Sequence, residues 1–235
     1  MLSPVERKNG WQLAEHAGEA RPSGMQRLLA GAKWEADAVR DDLRASVLEQ
    51  LGEPRAVLVS DETGLLKPGT KSVGVKRQDS GTAGRIEHCQ IGVFLTDAAP
   101  QGHVLLDRDL YLPREWAEDA ERRQEAGVPD EVTCATKPPL AQRMLERALA
   151  AGVPAAWGTG DSIYGGDRRR RGWLEQHAQP VVLAVTSDEP LWAVLEGRWA
   201  DWGQPRADVS AAQIPAHAWP RLSAGDGAKG PRWDA

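Results

Sequence analysis

The sequence predicts an α/β fold: a mixed sheet of three antiparallel strands, then helix, strand, helix, strand, with a helical N-terminal extension. Three observations carry this. Short apolar runs at residues 56–59, 89–95, 104–106, 155–158 and 181–185 read as buried strands, because each is too brief for a helix. The second and third are joined by a turn at Ala98–Gly102, which pairs them as an antiparallel hairpin. The last two alternate with helical segments, the pattern of an α/β layer.

Residues 1–54 are read as the helical extension. Ser23 is expected to cap a short helix through Met25, Leu28 and Leu29. Val39, Leu43, Val47 and Leu51 recur at every fourth position and predict an apolar helical stripe. Gly52 and Pro54 then stop that helix. The run Ala56–Val59 is the first strand, and it is expected to end at Asp61-Glu62-Thr63-Gly64. A loop follows, with Lys67, Pro68, Gly69 and Lys71, and residues 72–77, with Lys76 and Arg77, are assigned a short edge strand. After the hairpin, Thr136 is expected to cap a helix opening with Pro138, with Leu140, Met144, Leu145 and Leu149 on its buried face and Gly152 at its end. The fourth strand ends at Thr159-Gly160-Asp161, Arg168–His177 is the next helix, and Val181–Val185 is the fifth strand. This core spans 55–189. Residues 190–235, rich in Trp, Gly and Pro, show no long helical period and are read as a partial inserted region.

Composition narrows the function. The chain has 235 residues, 41% hydrophobic and 27% charged, which is ordinary for a globular protein. Two cysteines, Cys89 and Cys134, exclude a disulfide scaffold and a four-cysteine zinc site within one chain. The five histidines are scattered without metal-ligand spacing. No apolar run reaches the roughly 18 residues of a membrane span, and the N-terminus lacks the apolar centre of a secretion signal, so a cytoplasmic protein is expected. A net charge of −5 excludes a wholly basic nucleic-acid binder but permits a local basic face.

The chemistry concentrates in two carboxylates. Asp61 and Asp161 stand at equivalent places, each just past an apolar strand. Ligands of α/β sheets gather at the carboxyl ends of strands. If the strands are neighbours, the two acids share one crevice and repel unless a cation lies between them. Hard divalent cations with oxygen ligands, Mg²⁺ or Mn²⁺, satisfy that pair and can cleave phosphodiesters. An Asp at a strand end is also an ordinary turn former or helix cap.

Several ordered blocks resemble a known family: residues 2–11, Val59-Ser60-Asp61-Glu62-Thr63-Gly64-Leu65-Leu66-Lys67-Pro68-Gly69, Ser80–Glu87, Leu110–Pro113, Thr159-Gly160-Asp161-Ser162-Ile163-Tyr164-Gly165 and Leu183–Val185. They are similar to bacterial insertion-sequence transposases of the DDE class. The resemblance implies a ribonuclease H-like fold, Asp61 and Asp161 as catalytic metal-binding acids, Mg²⁺ (or Mn²⁺) as cofactor, and cleavage and transfer of DNA strands at insertion-sequence ends. It implies double-stranded DNA as partner, a homo-oligomer on DNA, and a location at the nucleoid. Lys67, Lys71, Arg77, Arg85, Tyr164 and Arg168 are the candidate DNA contacts. Lys76 and Arg169 to Arg171 belong to the same basic groups, although four consecutive helical arginines cannot all face one ligand.

The family's third acid, a Glu on a helix after the fifth strand with a Tyr, Arg, Glu and Lys signature, has no counterpart in the sequence. Glu175, Asp188, Glu189 and Glu196 are the nearest acids and lack that context. The chain is therefore read as a C-terminally truncated, inactive copy. Two alternatives stay open. Asp61-Glu62-Thr63-Gly64 also resembles the nucleophile motif of haloacid-dehalogenase-type phosphatases, although their parallel sheet conflicts with the hairpin. A non-catalytic DNA-binding remnant would use the basic groups alone.

Overall fold

The computed structural model describes residues 5–7, 9–81, 83–192, 194–195, 198–199, 203–219, 222–227 and 230–234. The chain divides into two compact units, residues 1–46 and 47–235.

The first unit contains α1 (Gly10–His16), α2 (Ser23–Ala30) and most of α3 (Ala36–Leu51). Asn9 caps α1, its side chain accepting from the backbone N–H groups of Trp11 and Gln12. Ser23 is not a cap: it is the first residue of α2, and Pro22 occupies the cap position without a side-chain bond. The expected stripe on α3 is not a buried face either, since Leu43 and Leu51 are 60% and 51% exposed. A four-residue step overshoots a helical turn by about 40°, so such a row spirals around the helix instead of facing one neighbour. Within the second unit, only the end of α3 reaches the core, through Val47 and Leu48.

The second unit is built on one mixed sheet. Its strands are β1 (Val57–Leu66), β2 (Lys76–Ser80), β3 (Arg85–Ala99), β4 (Gly102–Tyr111), β5 (Trp157–Gly160) and β6 (Val181–Leu183). β3 is the long central ribbon. It pairs antiparallel with β1 on one side, and on the other with β2 near its start and β4 over the rest. β5 then pairs parallel with β1, and β6 parallel with β5. β1, β3 and β4 are the three expected antiparallel strands, and β2 adds a short fourth on β3, at 76–80 instead of the expected 72–77. β5 and β6 follow in parallel on the β1 side, the ribonuclease H-like arrangement that the resemblance implied.

Helices connect these strands: α4 (Arg114–Ala117), α5 (Ala120–Glu125), α6 (Lys137–Ala150), α7 (Ser162–Gly165) and α8 (Arg168–Gln176). The acidic-basic stretch after Pro113 thus forms two short helices. Thr136 does occupy the cap position of α6, but its side chain makes no cap bond. Beyond the sheet lie the pairs β7 (Val194–Leu195) with β8 (Arg198–Trp199) and β9 (Leu222–Gly227) with β10 (Gly230–Asp234), and α9 (Ala207–Gln213) between them in sequence.

The core lies between the sheet and α6. Leu58, Val93, Leu95 and Leu106 meet Leu140, Ala141, Met144, Leu145 and Ala148, with Tyr164 and Leu174 closing the edge. Burying each large aliphatic side chain contributes about 1.5–3 kcal/mol. α6 ends as its sequence dictates: Gly152 adopts φ +76°, and the Val153 N–H reaches back to the Ala148 carbonyl at 3.1 Å. On the sheet side, Arg147 of α6 bonds the buried Asp107 of β4 at 2.8 Å.

α7 is pressed against the chain leaving β6, and Gly165 allows the approach. A Cβ there would lie 1.8 Å from the Ala184 carbonyl oxygen. Gly165→Ala is expected to cost about 1–3 kcal/mol, a fall in Tm of roughly 4–10 °C for a unit of this size. Thermal unfolding by circular dichroism reads this directly, and an unchanged Tm would contradict the packing.

Candidate active site

The two aspartates meet because two strands run side by side in register. Val57 pairs with Trp157, Leu58 with Gly158, Val59 with Thr159 and Ser60 with Gly160. Asp61 and Asp161 are the residues that follow the last of these pairs. There β5 stops, while β1 continues to Leu66, held by β3. Asp61 is therefore within its strand and not at its end, because the antiparallel partner outlasts the parallel one.

A third carboxylate joins them. One oxygen from each of Asp61, Glu62 and Asp161 lies within 4.8 Å of the others. Glu62 is the residue that sequence reasoning passed over as a site member. Strand alternation places it on the other row from Asp61, the row of buried Leu58 and Ser60 that faces the core. Its long side chain still reaches the place where β5 ends.

Each acid is oriented by the fold. Asp61 accepts from the Glu62 backbone N–H at 2.8 Å, and Asp161 accepts from the Ile163 N–H at 2.9 Å as the cap of α7. The helix-cap reading of Asp161 is thus true alongside its place in the cluster. Glu62 accepts from Lys137 Nζ at 2.7 Å on one oxygen and from the Tyr164 hydroxyl at 2.6 Å on the other.

Burial first, and like charge after it, show in the protonation. Burial pushes the Asp61 carboxyl up, and the charges of Glu62 and Asp161 add to it, against the Glu62 N–H and Lys137. Burial likewise drives the Tyr164 hydroxyl far above its usual range, reinforced by its bond to Glu62, so it stays a neutral donor. Three hard oxygen donors this close, from acids that repel one another, fit a divalent cation such as Mg²⁺ or Mn²⁺.

The expected DNA contacts are placed unevenly. Tyr164 is fully buried, so it is a core residue holding Glu62 and not a surface contact. Lys71, Arg77, Arg85 and Arg168 are exposed and Lys67 half-buried. Lys71 pairs with Glu125 at 2.9 Å, Arg85 with Glu87 at 2.8 Å and Arg168 with Glu189 at 3.9 Å. The other basic residues also diverge. Lys76 pairs with Glu115, Arg169 is exposed, Arg171 bonds Glu189 at 2.8 Å, and Arg170 is buried. Arg170 donates to Ser60 Oγ at 3.1 Å and lies over the Tyr164 ring. Glu189 is thus bound to arginines, and Glu196 lies outside the described residues.

Two outcomes follow from this geometry. Tyr164→Phe leaves one oxygen of a half-buried carboxylate without its donor and is expected to cost about 1–3 kcal/mol in urea unfolding. Asp61→Asn is expected to raise Tm at pH 7. A carboxyl whose pKa is raised by folding contributes stability while protonated, and that contribution is lost as pH rises through the folded value. The gain from Asn should therefore shrink as pH is lowered toward the ordinary Asp range. A lower Tm for Asp61→Asn at pH 7 would contradict a carboxyl raised by burial and neighbouring charge.

Comparison with known proteins bears on this centre. The family model for DDE superfamily endonucleases matches residues 1–233. A relative described as a probable transposase for insertion sequence element IS701, from Microchaete diplosiphon, is 24% identical over 164 residues, 70% of this chain and 40% of the relative. The chain thus spans less than half the length of that protein. Two solved structures overlap loosely at 16% identity. The Mos1 transposase paired-end complex with left transposon end has a TM-score of 0.27, over 75% of this chain and 54% of that one. The Mos1 mariner paired-end complex with Mn has a TM-score of 0.30, over 78% and 57%. Overlaps this loose assign no residue and no activity. The family match is of another order: it takes in the strands, the connecting helices and both aspartates, and by it the chain belongs to the DDE superfamily endonucleases.

Proposed function

We propose that this chain carries the acidic centre of an insertion-sequence transposase, which cuts DNA strands and transfers them at element ends. The observation that carries the reading is the register of β1 and β5, which brings Asp61 and Asp161 together in a family of endonucleases. Asp61 and Asp161 would hold Mg²⁺ or Mn²⁺, with Glu62 beside them. Such a cation stabilises charge developing on a phosphodiester and favours the ionised form of an attacking water or 3′-hydroxyl.

The chain's own residues prepare that site. The Glu62 and Ile163 N–H groups each take a lone pair of an aspartate and fix its rotamer. The Tyr164 hydroxyl orients Glu62 without neutralising it. Lys67, Lys71, Arg77, Arg85 and Arg168 are the proposed phosphate contacts, which position a duplex without reading its bases. The partner is double-stranded DNA bound by a homo-oligomer, at the nucleoid in the cytoplasm.

The phosphatase alternative is disfavoured by the antiparallel pairing of β1 with β3, because that chemistry rides on a parallel sheet with helical crossovers. The DNA-binding remnant makes a different prediction from the transposase centre. The sequence alone reads as an inactive copy for want of a third acid, but Glu62 beside the two aspartates supports an assembled centre. In Mg²⁺ or Mn²⁺, the chain is expected to nick supercoiled plasmid, and Asp61→Asn and Asp161→Asn are each expected to reduce nicking to background while salt-sensitive DNA binding persists. DNA binding without aspartate-dependent nicking would favour the remnant and overturn the catalytic reading.

A further inference from the structure

Lys137 is in an unfavourable place for a lysine. It is the first residue of α6, at the positive end of the helix dipole, and the first turn of α6 has no acidic residue to offset it. Thr136, in the cap position, makes no side-chain cap bond. What holds the ammonium there is Glu62 of β1, 75 residues away in sequence, at 2.7 Å. Both side chains are largely withdrawn from water, with 21% and 16% of their areas exposed, so the pair is less screened than a surface ion pair. A local rule broken at the edge of a candidate site is where function is expected to override stability.

The partners of Glu62 differ in kind. Tyr164 donates a hydrogen bond but stays neutral, whereas Lys137 brings a full positive charge. Among the described residues, Lys137 is the cation paired with the cluster of Asp61, Glu62 and Asp161. It supplies part of the neutralisation that a divalent cation would otherwise give. It also occupies one of the two Glu62 oxygens open to such a cation, the other accepting from Tyr164.

We propose that Lys137 is a tethered counter-cation of the three-carboxylate cluster, a positioning residue that competes with a divalent cation for Glu62. The inference rests on the reading that this cluster takes such an ion. Ion entry and opening of the Lys137–Glu62 pair are then linked, and the linkage is reciprocal: whatever strengthens the pair weakens the ion, and the reverse. The lysine keeps the crowded acids ordered in the ion-free protein and sets how much free cation is needed to fill the site.

The test is calorimetric titration of the full chain with Mn²⁺, without DNA, for the unaltered protein, Lys137→Met, Glu62→Gln, their double variant and Asp61→Asn. Lys137→Met is expected to bind Mn²⁺ more tightly, on the order of tenfold. In the Glu62→Gln background the same change should bring no gain. Unchanged or weaker binding by Lys137→Met overturns the proposal, and if Asp61→Asn still abolishes binding, the metal reading survives it. No Mn²⁺ binding by the unaltered protein overturns both. Should Lys137→Met not fold, acetylation of Lys137 in the unaltered protein, followed by mass spectrometry, decides the matter. Its reactivity relative to Lys67 should rise several-fold with Mn²⁺, and no rise overturns the proposal.

Discussion

The four-residue parallel pairing of β1 with β5 is the constraint on which the site depends. It is short, and every part of it is enforced. The Ala156 N–H bonds the Ala56 carbonyl before the pairing begins, and the Ala184 N–H bonds the Gly160 carbonyl from the far side. Because side chains alternate along a strand, a one-residue slip of either partner would send its aspartate to the opposite face. The register is also locked by packing: Leu58 and Ser60 are buried on one face of β1 while Val57, Val59 and Asp61 occupy the other. Distance between the acids is thus a consequence of hydrophobic register, not of any attraction between them.

Glycine lets the site close over this pairing. β5 reads Trp157-Gly158-Thr159-Gly160, and a Cβ on Gly160 would lie 3.0 Å from the Tyr164 Cβ and 3.4 Å from the Ser60 carbonyl. The absence of side chains there lets α7 lie close to the strand end and brings the Tyr164 hydroxyl to Glu62. Behind Tyr164 sits the buried Arg170, whose Nε and Nη1 have no hydrogen-bond partner. Burial lowers its pKa, and Tyr164 and Asp167 act the other way. A guanidinium is costly in such a position, and its one bond goes to Ser60, the residue before Asp61.

Much of this was legible from the sequence, and what was not has identifiable causes. The apolar runs located the strands, since buried strands advertise themselves by composition. Gly152 and the Leu140–Leu145 face located α6 for similar reasons. The pairing of β1 with β5 was inferred only as a condition, because neighbouring in a sheet is not written in either strand. Glu62 was missed because period-two alternation argues against two consecutive acids sharing a site, and only the gap beyond Gly160 makes it possible. Tyr164 was misplaced because a polar tip on an aromatic ring reads equally as a surface contact or a buried donor. The α3 stripe failed because a spacing of four is not the helical period, and the cap at Ser23 failed because α2 begins at that residue. Thr136 stands in the cap position as expected, but residue type alone did not orient its hydroxyl.

The centre is a local conflict that the rest of the unit must absorb. Three carboxylates within 4.8 Å disfavour the folded state when all are ionised, and the pKa of Asp61, raised first by burial and then by the charges of Glu62 and Asp161, reflects part of that cost. Replacing an acid by its amide would relieve it, so the acids are not there for stability. A cation that binds the folded cluster and not the unfolded chain shifts the equilibrium toward the folded state in proportion to its affinity. The repulsion that weakens the empty site is therefore part of what makes the filled site bind. It is carried by β3, which holds β1 along its whole length, and by α6, whose apolar face packs on the sheet although its first residue, Lys137, bonds Glu62. A fold of this kind can keep an unfavourable cluster where β5 ends beside β1, because most of its core lies between the sheet and α6.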